Sequence, residues 1–311
     1  MFVVCGESLF DVFASGDTAT GMALDARVGG SPFNVAVGLA RMAQPVCLLT
    51  QISRGFLGER LMAALQAEGV NTATVQRSEA PTTLSLIGLD ARGVPSYSFY
   101  GEGCADGLLT RDALDLMPQG VRAINFGSYA TVTGETATTQ RALVEREHTR
   151  TLIAYDPNIR LNVEPELAVW REQIRWMLPR THLLKVSDED LALVHPGMPL
   201  QAFAAEALAQ GVAWVVVTRG SQGAVAWTAR GHVEAPSTPV EVIDTVGAGD
   251  TFQAALLTWL AENDGLSADA LAAFALDDLQ RALGFAAQAA AITCSRRGAD
   301  LPRRAELPQA R

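Results

Sequence analysis

Residues 46–52 (VCLLTQI) form a short strand-forming run between two longer segments of helical period. The segments on either side, residues 31–43 and residues 56–68, are rich in alanine and leucine. Residues 2–5 (FVVC) add another short run ahead of the first of these segments. Strands that alternate with helices in this way indicate βαβ units, in which neighbouring strands run parallel.

The same alternation resumes later in the chain. It predicts strands at residues 123–126, 152–155 and 212–218, and helices near residues 135–149 and 164–177. We therefore expect an α/β fold with a doubly wound, mostly parallel sheet flanked by helices. Residues 1–311 contain no internal repeat and no linker-like stretch, so we expect a single domain.

Two segments, residues 12–28 and residues 82–101, break the alternation. In the second, residues 83–89 and 96–100 alternate with period two around a turn at residues 91–93, which is typical of a hairpin. Open α/β sheets bind ligands at the carboxyl edge of their strands. We predict that both segments form a small β-lid over that edge, with an ordinary surface hairpin as the alternative. The open edge of such a lid is able to pair with a second copy in a homodimer.

The basic residues exclude two classes of phosphate-handling enzyme. The chain has 24 basic and 34 acidic side chains, for a net charge of −10, and all the basic residues except Lys185 are arginines. Lys185 follows residues 182–184 (HLL) rather than a glycine-rich loop. A P-loop needs a lysine directly after its glycines, and a protein kinase needs a His-Arg-Asp catalytic loop after its lysine. Neither pattern is present.

The acidic balance also limits the partners. Nucleic acids and anionic membranes are bound through basic surfaces, so neither is expected as a partner. No uncharged apolar run reaches the roughly 18 residues that span a bilayer, and the N-terminus lacks a signal-peptide pattern, so we expect a cytoplasmic protein. The four cysteines and four histidines are dispersed without disulfide or metal-ligand spacing. Small molecules are the ligands left to consider.

Residues 244–252 (DTVGAGDTF) precede an apolar stripe of helical period, so a buried helix is predicted to begin at the glycines. The amides of Gly247, Ala248 and Gly249 would then be free at a helix N-terminus, an anion site that needs no lysine. Asp250 beside this site fits a general base for a hydroxyl nucleophile, while the amides stabilise a transferring phosphoryl group. A glycine turn with a capping aspartate is the structural alternative.

Residues 29–34 (GGSPFN) open another predicted helix, in which Ser31 is a candidate cap and the glycines permit close backbone approach. Asn34 lies off the apolar stripe of that helix, so its amide is able to bind a hydroxylated ligand. Residues 156–160 (DPNIR) follow a predicted strand. Arg160 is there either a ligand for phosphate or sugar oxygens or a solvated loop residue.

Two further segments follow predicted strands. In residues 185–190 (KVSDED), Ser187 is a candidate N-cap, and the acids are either first-turn residues of a helix or part of a Mg²⁺ site. Residues 218–223 (TRGSQG) suit close backbone approach to a nucleotide, and they read equally well as a turn.

Taken in this order, the segments resemble those of the ribokinase-like (PfkB-type) sugar kinases, and the resemblance covers essentially the whole chain. Residues 29–40 look like the N-terminal signature of that family, and residues 244–252 look like its highly specific C-terminal signature. Residues 6–11, 156–160 and 185–190 are most similar to those of bacterial fructokinases.

The resemblance implies an ATP-dependent sugar kinase with D-fructose as substrate, MgATP as phosphoryl donor and a lid that closes on the sugar. The implied catalytic residues are the base Asp250, the anion hole with Gly247, Ala248 and Gly249, and Arg160. The implied sugar ligands are Asp11, Gly29, Gly30, Asn34, Tyr97, Phe99, Arg160 and Asp250. The implied ATP ligands are Lys185, Ser187, Thr218, Arg219, Gly220, Ser221, Gly223 and Gly249. Asp190 stands at the Mg²⁺-linked position, Asp244 near a K⁺ site, and Ala287 beside the adenine.

Four other functions remain to be compared with this one. A 2-keto-3-deoxygluconate kinase would need a partner for the substrate carboxylate, which Arg160 is able to supply. Ribokinase or nucleoside kinase activity is less favoured by the fructokinase-like segments. A non-catalytic sugar sensor usually has a damaged base or anion hole, whereas Asp250 and its glycines are present. A dinucleotide oxidoreductase is disfavoured because no G-x-G-x-x-G follows the first strand.

Overall fold

The computed structural model describes residues 1–89 and 95–310, without the side chains of residues 89 and 95–97. In this part of the chain the strands are β1 (Phe2–Cys5), β2 (Leu9–Thr18), β3 (Gly21–Gly29), β4 (Val46–Ser53), β5 (Val75–Ser78), β6 (Leu84–Leu89), β7 (Pro95–Tyr100), β8 (Ala123–Gly127), β9 (Leu152–Asp156), β10 (Leu183–Ser187), β11 (Trp214–Thr218), β12 (Ala224–Thr228) and β13 (Gly231–Ala235). The helices are α1 (Ser31–Arg41), α2 (Phe56–Ala67), α3 (Gly134–Glu147), α4 (Leu167–Met177), α5 (Asp188–Val194), α6 (Leu200–Ala209), α7 (Ala248–Glu262), α8 (Ala268–Ala273) and α9 (Leu276–Cys294).

Nine strands form the main sheet, in the order β13-β12-β11-β10-β9-β8-β1-β4-β5. The run from β11 to β5 is parallel, and β12 and β13 extend it antiparallel at one edge. Successive side chains of a strand point to opposite faces, so Phe2 and Val4 of β1 belong to one hydrophobic core and Val3 and Cys5 to another. The prediction of a doubly wound, mostly parallel sheet flanked by helices is confirmed.

The helix predicted near residues 164–177 begins later, at Leu167. Residues 164–166 instead lie outside the helix, and the Glu166 amide donates to Glu164 Oε1 at 2.9 Å. The Glu164 carbonyl also accepts the indole N–H of buried Trp170 at 2.9 Å. The helix starts late because a proline follows Glu164 and favours an extended conformation of the residue ahead of it. The two hydrogen bonds then hold this segment in place before the helix.

A second sheet has the order β3-β2-β6-β7. β2 is antiparallel to β3 and parallel to β6, and β6 is antiparallel to β7. The strands predicted outside the main sheet are therefore present, although β2 starts at Leu9 rather than at residue 12. The turn predicted at residues 91–93 lies outside the described residues. That this sheet acts as a lid and forms a dimer contact stays a prediction.

All four cysteines are free thiols. No helix within residues 1–89 and 95–310 is long and apolar enough to cross a membrane. The cytoplasmic location and the single-domain organisation stay predictions.

Candidate active site

Two neighbouring cavities lie at the carboxyl edge of the parallel strands. The smaller, of about 300 Å³, is bordered by residues that follow β1, β8 and β9. The larger, of about 570 Å³, is bordered by residues that follow β10 and β11 and by one side of α9. Four residues border both cavities, namely Asn158, Arg160, Thr245 and Gly249. The N-terminus of α7 therefore forms part of the wall between them.

The glycines of residues 244–252 start α7 as predicted. Gly247 is the N-cap with φ of 78°, in the left-handed region that favours glycine. A Cβ on Gly249 would lie 3.2 Å from Lys185 Nζ, so this position also suits a residue without a side chain. The amides of Gly247, Gly249 and Asp250 have no hydrogen-bond partner among the described residues.

The prediction of three free amides is wrong at Ala248. Its N–H donates to the Thr245 carbonyl at 3.2 Å, because the chain makes a tight turn immediately before the helix. The amide of Asp250, one residue further along, takes its place as the third free donor. The N-terminus of α7 is thus still suited to an anion, with a slightly different set of amides.

The carboxylate of Asp250 is held at both oxygens by residues that lie more than 200 positions earlier in the chain. Ser31 Oγ donates to Oδ1 at 2.6 Å, and Asn34 Nδ2 donates to Oδ2 at 2.8 Å. The prediction that Ser31 caps α1 is wrong, since the N-cap is Gly30 and the Ser31 hydroxyl is engaged by Asp250. The two motifs therefore meet at one oriented carboxylate on the wall of the smaller cavity.

Burial raises the pKa of Asp250, because removal from water disfavours its charged form. The hydrogen bonds from Ser31 and Asn34 oppose this rise in pKa, as do the positive charges of Lys185 and Arg160. A carboxylate with these neighbours is more basic than a solvated one and keeps a fixed orientation. It is suited to accept a proton from a hydroxyl group in the smaller cavity.

Ser31→Ala is expected to move the acidic limb of the kcat profile to higher pH. The substitution removes a hydrogen bond that lowers the pKa of Asp250, so the carboxylate stays protonated to a higher pH. At neutral pH we expect kcat to fall less than about tenfold, since one hydrogen bond is worth roughly 1 kcal/mol. Steady-state rates from pH 5 upward measure the limb. Ser267→Ala, which removes the N-cap of the distant helix α8, is the matched control, and an equal displacement in both variants would contradict the assignment.

Lys185 in the middle of β10 and Asp156 at the end of β9 form a buried ion pair. Lys185 Nζ donates to Asp156 Oδ2 at 2.6 Å, and the two side chains are 5% and 6% exposed. Ser187 caps α5 as predicted, because its hydroxyl accepts the Asp190 amide at 3.0 Å. Burial and the negative charge of Asp156 raise the pKa of Asp190, whose Oδ1 accepts the amide of Ile159 at 3.1 Å.

Most of the predicted site residues border one of the two cavities. Those on the smaller cavity are Asp11, Gly30, Asn34, Phe99, Arg160, Gly247, Gly249 and Asp250. Those on the larger cavity are Arg160, Lys185, Ser187, Asp190, Thr218, Gly220, Ser221, Gly223, Ala248, Gly249 and Ala287. The side chain of Tyr97 lies outside the described residues. The roles of these residues stay predictions.

Three predicted residues lie outside both linings. Gly29 is paired with Leu9 in the second sheet, where a Cβ would lie only 2.6 Å from Asp11 Oδ2. The guanidinium of Arg219 turns toward β13 and donates to Glu234 Oε2 at 2.9 Å. Asp244 accepts the amides of Val246 at 3.1 Å and Gly298 at 2.8 Å, so it fastens the loop before α7 to the loop after α9.

The smaller cavity also contains residues for which the sequence predicted no role. They are Glu7, Leu9, Ser85, Ser128, Tyr129, Asn158, Asn162, Val163, Thr245 and Val246. Tyr129 donates from its hydroxyl to buried Asp106 at 2.7 Å. Its ring lies edge-on to Phe99 of β7 at 5.3 Å, which joins the second sheet to the cavity. Glu7 and Ser128 could have been found by asking which polar residues directly follow buried parallel strands.

The larger cavity combines an apolar region with glycine-rich turns. The apolar part is formed by Val240, Val242, Phe252, Ala287, Ala290 and Ala291. Residues 218–223 and the N-terminus of α7 form polar edges. Such a site fits a flat, partly apolar group with an anionic extension directed at the helix N-terminus. No cluster of three or more potential metal ligands occurs among the described residues.

An oriented carboxylate thus lies on a small polar cavity beside a larger cavity suited to a nucleotide, the arrangement expected of a small-molecule kinase. The family model described as pfkB family carbohydrate kinase matches residues 2–306, so the chain belongs to that family. The sequence resemblance is thereby confirmed.

Relatives with sequence or structural similarity bear names of sugar kinases. A fructokinase from Rhizobium leguminosarum bv. trifolii is 33% identical over 260 residues, covering 84% of this chain and 79% of that protein. The structure of a fructokinase with bound ATP from Xylella fastidiosa has a TM-score of 0.86 at 23% identity, covering 99% of this chain and 95% of that one. A fructokinase double mutant from Vibrio cholerae with fructose, ADP and potassium ion bound has a TM-score of 0.78 at 20% identity, covering 96% and 93% of the two chains. These two structures share the fold of this chain.

Proposed function

We propose that this protein is an ATP-dependent fructokinase, which transfers the γ-phosphoryl group of MgATP to the primary hydroxyl of D-fructose. The observation that carries the proposal is the Asp250 carboxylate, which Ser31 and Asn34 orient on the wall of the smaller cavity. The fructokinase names of the relatives support the choice of substrate.

The proposed reaction places the sugar in the smaller cavity with its acceptor hydroxyl against Asp250. The hydroxyl oxygen attacks phosphorus, the bond from phosphorus to the ADP oxygen breaks, and the hydroxyl proton passes to Asp250. Because a carboxylate is much less basic than an alkoxide, the proton moves late, as the new O–P bond forms. The amides of Gly247, Gly249 and Asp250 stabilise the charge on the transferring group, together with Arg160, which borders both cavities.

ATP would lie in the larger cavity, with its base among the apolar residues and its phosphates toward α7. Because Ala287 has no polar side chain, that position gives the base van der Waals contact only. The described carboxylates form no metal cage, so a Mg²⁺ ion would be held mainly by phosphate oxygens and water, with Asp190 on the cavity wall. A K⁺ contact at Asp244 remains a prediction, and both oxygens of that carboxylate already accept backbone amides.

The second sheet is the proposed lid. Phe99 of β7 and Ser85 of β6 border the smaller cavity, and the Phe99 ring packs against the ring of Tyr129. A sugar in the cavity would therefore contact the second sheet. These contacts would stabilise the closed position of the sheet and exclude water from the cavity.

Charge favours a neutral sugar over an acid sugar. Of the groups that border the smaller cavity, Asp11 and Asp250 are able to carry negative charge and Arg160 carries positive charge, whereas burial raises the pKa of Glu7 to about 8 and favours its neutral form. The carboxylate of 2-keto-3-deoxygluconate would meet repulsion from these acids that Arg160, shared with the phosphate side, offsets only in part. D-Fructose brings hydroxyl groups, which both the acids and the arginine are able to bind.

The test is a coupled ADP-release assay across fructose, 2-keto-3-deoxygluconate, ribose and adenosine. We expect kcat/KM for fructose to exceed the others by roughly 100-fold or more, because a site built around substrate hydroxyl groups rejects analogues that leave its polar groups unpaired. Release of ADP without sugar is the background control. A higher kcat/KM for 2-keto-3-deoxygluconate would overturn the choice of substrate, and sugar binding without ADP release would instead indicate a sensor.

A further inference from the structure

Glu7 is a buried acid on the floor of the smaller cavity. It follows β1 after a single residue, and it is only 1% exposed. Its Oε2 atom has no hydrogen-bond partner in the described part of the chain, although the residue borders the cavity. Buried polar atoms are nearly always paired in folded proteins. An unpaired oxygen beside a polar cavity is a position where a ligand group would complete the bonding.

The backbone around Glu7 brings it close to the base. Gly6 has φ of 151°, and a Cβ there would lie 2.4 Å from Pro32 Cγ in the first turn of α1. A Cβ on Gly30 would lie 2.9 Å from the Glu7 carbonyl oxygen. The two glycines thus let the turn after β1 pack directly on the start of α1, the helix that orients Asp250. A sugar that reaches Asp250 therefore lies within the same cavity as Glu7.

We propose that Glu7 binds the sugar directly, with its protonated carboxyl group donating a hydrogen bond to a sugar oxygen. This inference rests on the proposed function and adds a residue that discriminates for hydroxylated, uncharged substrates. A neutral carboxyl donor complements the carboxylate of Asp250, because the two groups offer a sugar one donor and one acceptor.

The surroundings of Glu7 favour its protonated form. Burial raises the pKa of Glu7 to about 8, and the negative charge of Asp106 adds to the rise. Hydrogen bonding by the Ser128 side chain and by the Glu7 backbone opposes the rise in pKa, as does the positive charge of Arg160. Two other ionisable groups, Cys5 and Tyr129, interact electrostatically with Glu7, and Asp11 and Asp250 border the same cavity. Burial raises the pKa of the Cys5 thiol and of the Tyr129 hydroxyl, so both stay uncharged at neutral and mildly alkaline pH. A bound sugar excludes the remaining water and further favours the protonated form.

The experiment measures the Kd for fructose by calorimetry, without nucleotide, at pH values from about 7 to about 9.5. In the wild type we expect Kd to rise about tenfold over this range, because affinity for the protonated form is lost as pH rises through the pKa. In Glu7→Gln we expect a constant Kd, since the amide donates at every pH. Ser8→Ala is the matched control, because Ser8 Oγ is also buried and unpaired but does not border the cavity; its Kd should follow the wild type.

Two results would overturn the inference. One is the same alkaline rise of Kd in Glu7→Gln as in the wild type, and the other is a normal Kd in Glu7→Leu, which fills the space without a donor. Thermal unfolding of each variant establishes that it is folded before binding is measured. Failure of the proposed function has a different signature, because the wild type would then not bind fructose at any pH.

Discussion

Asp250→Asn is expected to lower kcat by roughly 1,000-fold, the scale on which a positioned general base acts, while Kd for the sugar changes little. Asparagine matches aspartate in size, but its amide cannot accept the hydroxyl proton as the O–P bond forms. Its carbonyl oxygen still accepts one of the two hydrogen bonds that now come from Ser31 and Asn34. The loss should therefore appear in kcat and in single-turnover rates rather than in sugar binding, which calorimetry measures separately.

Asp264→Asn is the matched control for this result. Asp264 follows the other end of α7 and has φ of 57°, a conformation that asparagine also adopts readily. The control should retain wild-type kcat, since its carboxylate lies at the opposite end of the helix from the cavities. If Asp250→Asn retained kcat within about tenfold of the wild type, which is below the usual contribution of a general base, another group would have to accept the proton.

Lys185→Met is expected to destabilise the protein by about 3 kcal/mol, because it leaves the buried Asp156 carboxylate without its partner. Asp156 Oδ1 already lacks a hydrogen-bond partner among the described residues, so Lys185 is its principal compensation. The same substitution should raise the KM for ATP, since Lys185 borders the larger cavity and its Nζ lies beside Gly249. Denaturant unfolding measures the first effect and initial rates measure the second.

Two further variants distinguish the loss of stability caused by breaking the ion pair from a loss caused by altered packing. Asp156→Asn combined with Lys185→Met should recover much of the lost stability, because no unpaired buried charge remains. Arg54→Met breaks an exposed pair with Glu79, whose N–O distance is 3.5 Å, and should change the free energy of unfolding by less than about 1 kcal/mol. Equal losses in Arg54→Met and Lys185→Met would contradict the argument from burial. An unchanged KM for ATP in Lys185→Met would make the lysine incidental to nucleotide binding.

Patterns that depend only on residues close in sequence were sufficient to predict the fold and the edge of the sheet at which the candidate site lies. The alternation of strands and helices predicts the parallel sheet because each element carries its own periodicity. The glycines at the start of α7 and the cap at Ser187 were predictable for the same reason, since both depend on residues three or four positions away. Proximity of the predicted segments also followed, because the carboxyl ends of parallel strands meet at one edge.

Contacts between distant segments could not be predicted in this way. A local rule assigns Ser31 to helix capping, but its hydroxyl is engaged by Asp250, 219 residues away. Likewise Arg219 suits a nucleotide turn by its neighbours in sequence, yet its charge is paired with Glu234 on β13. The ion pair of Lys185 with Asp156 depends on the order of strands in the sheet, which the alternation alone leaves open.

The burial of Lys185 determines how the surface responds to reagents that attack amines. Since every other basic side chain is an arginine, the guanidinium group carries the positive charge of the exterior. Lys185 is only 4% exposed and its ε-amino group is bonded to a carboxylate, so the amine is open only toward the larger cavity and is not free to act as a nucleophile while the ion pair is intact. Amine-directed acylating agents therefore find no lysine on the exterior of the intact fold. An acyl group on Lys185 would mark molecules in which the ion pair with Asp156 had opened.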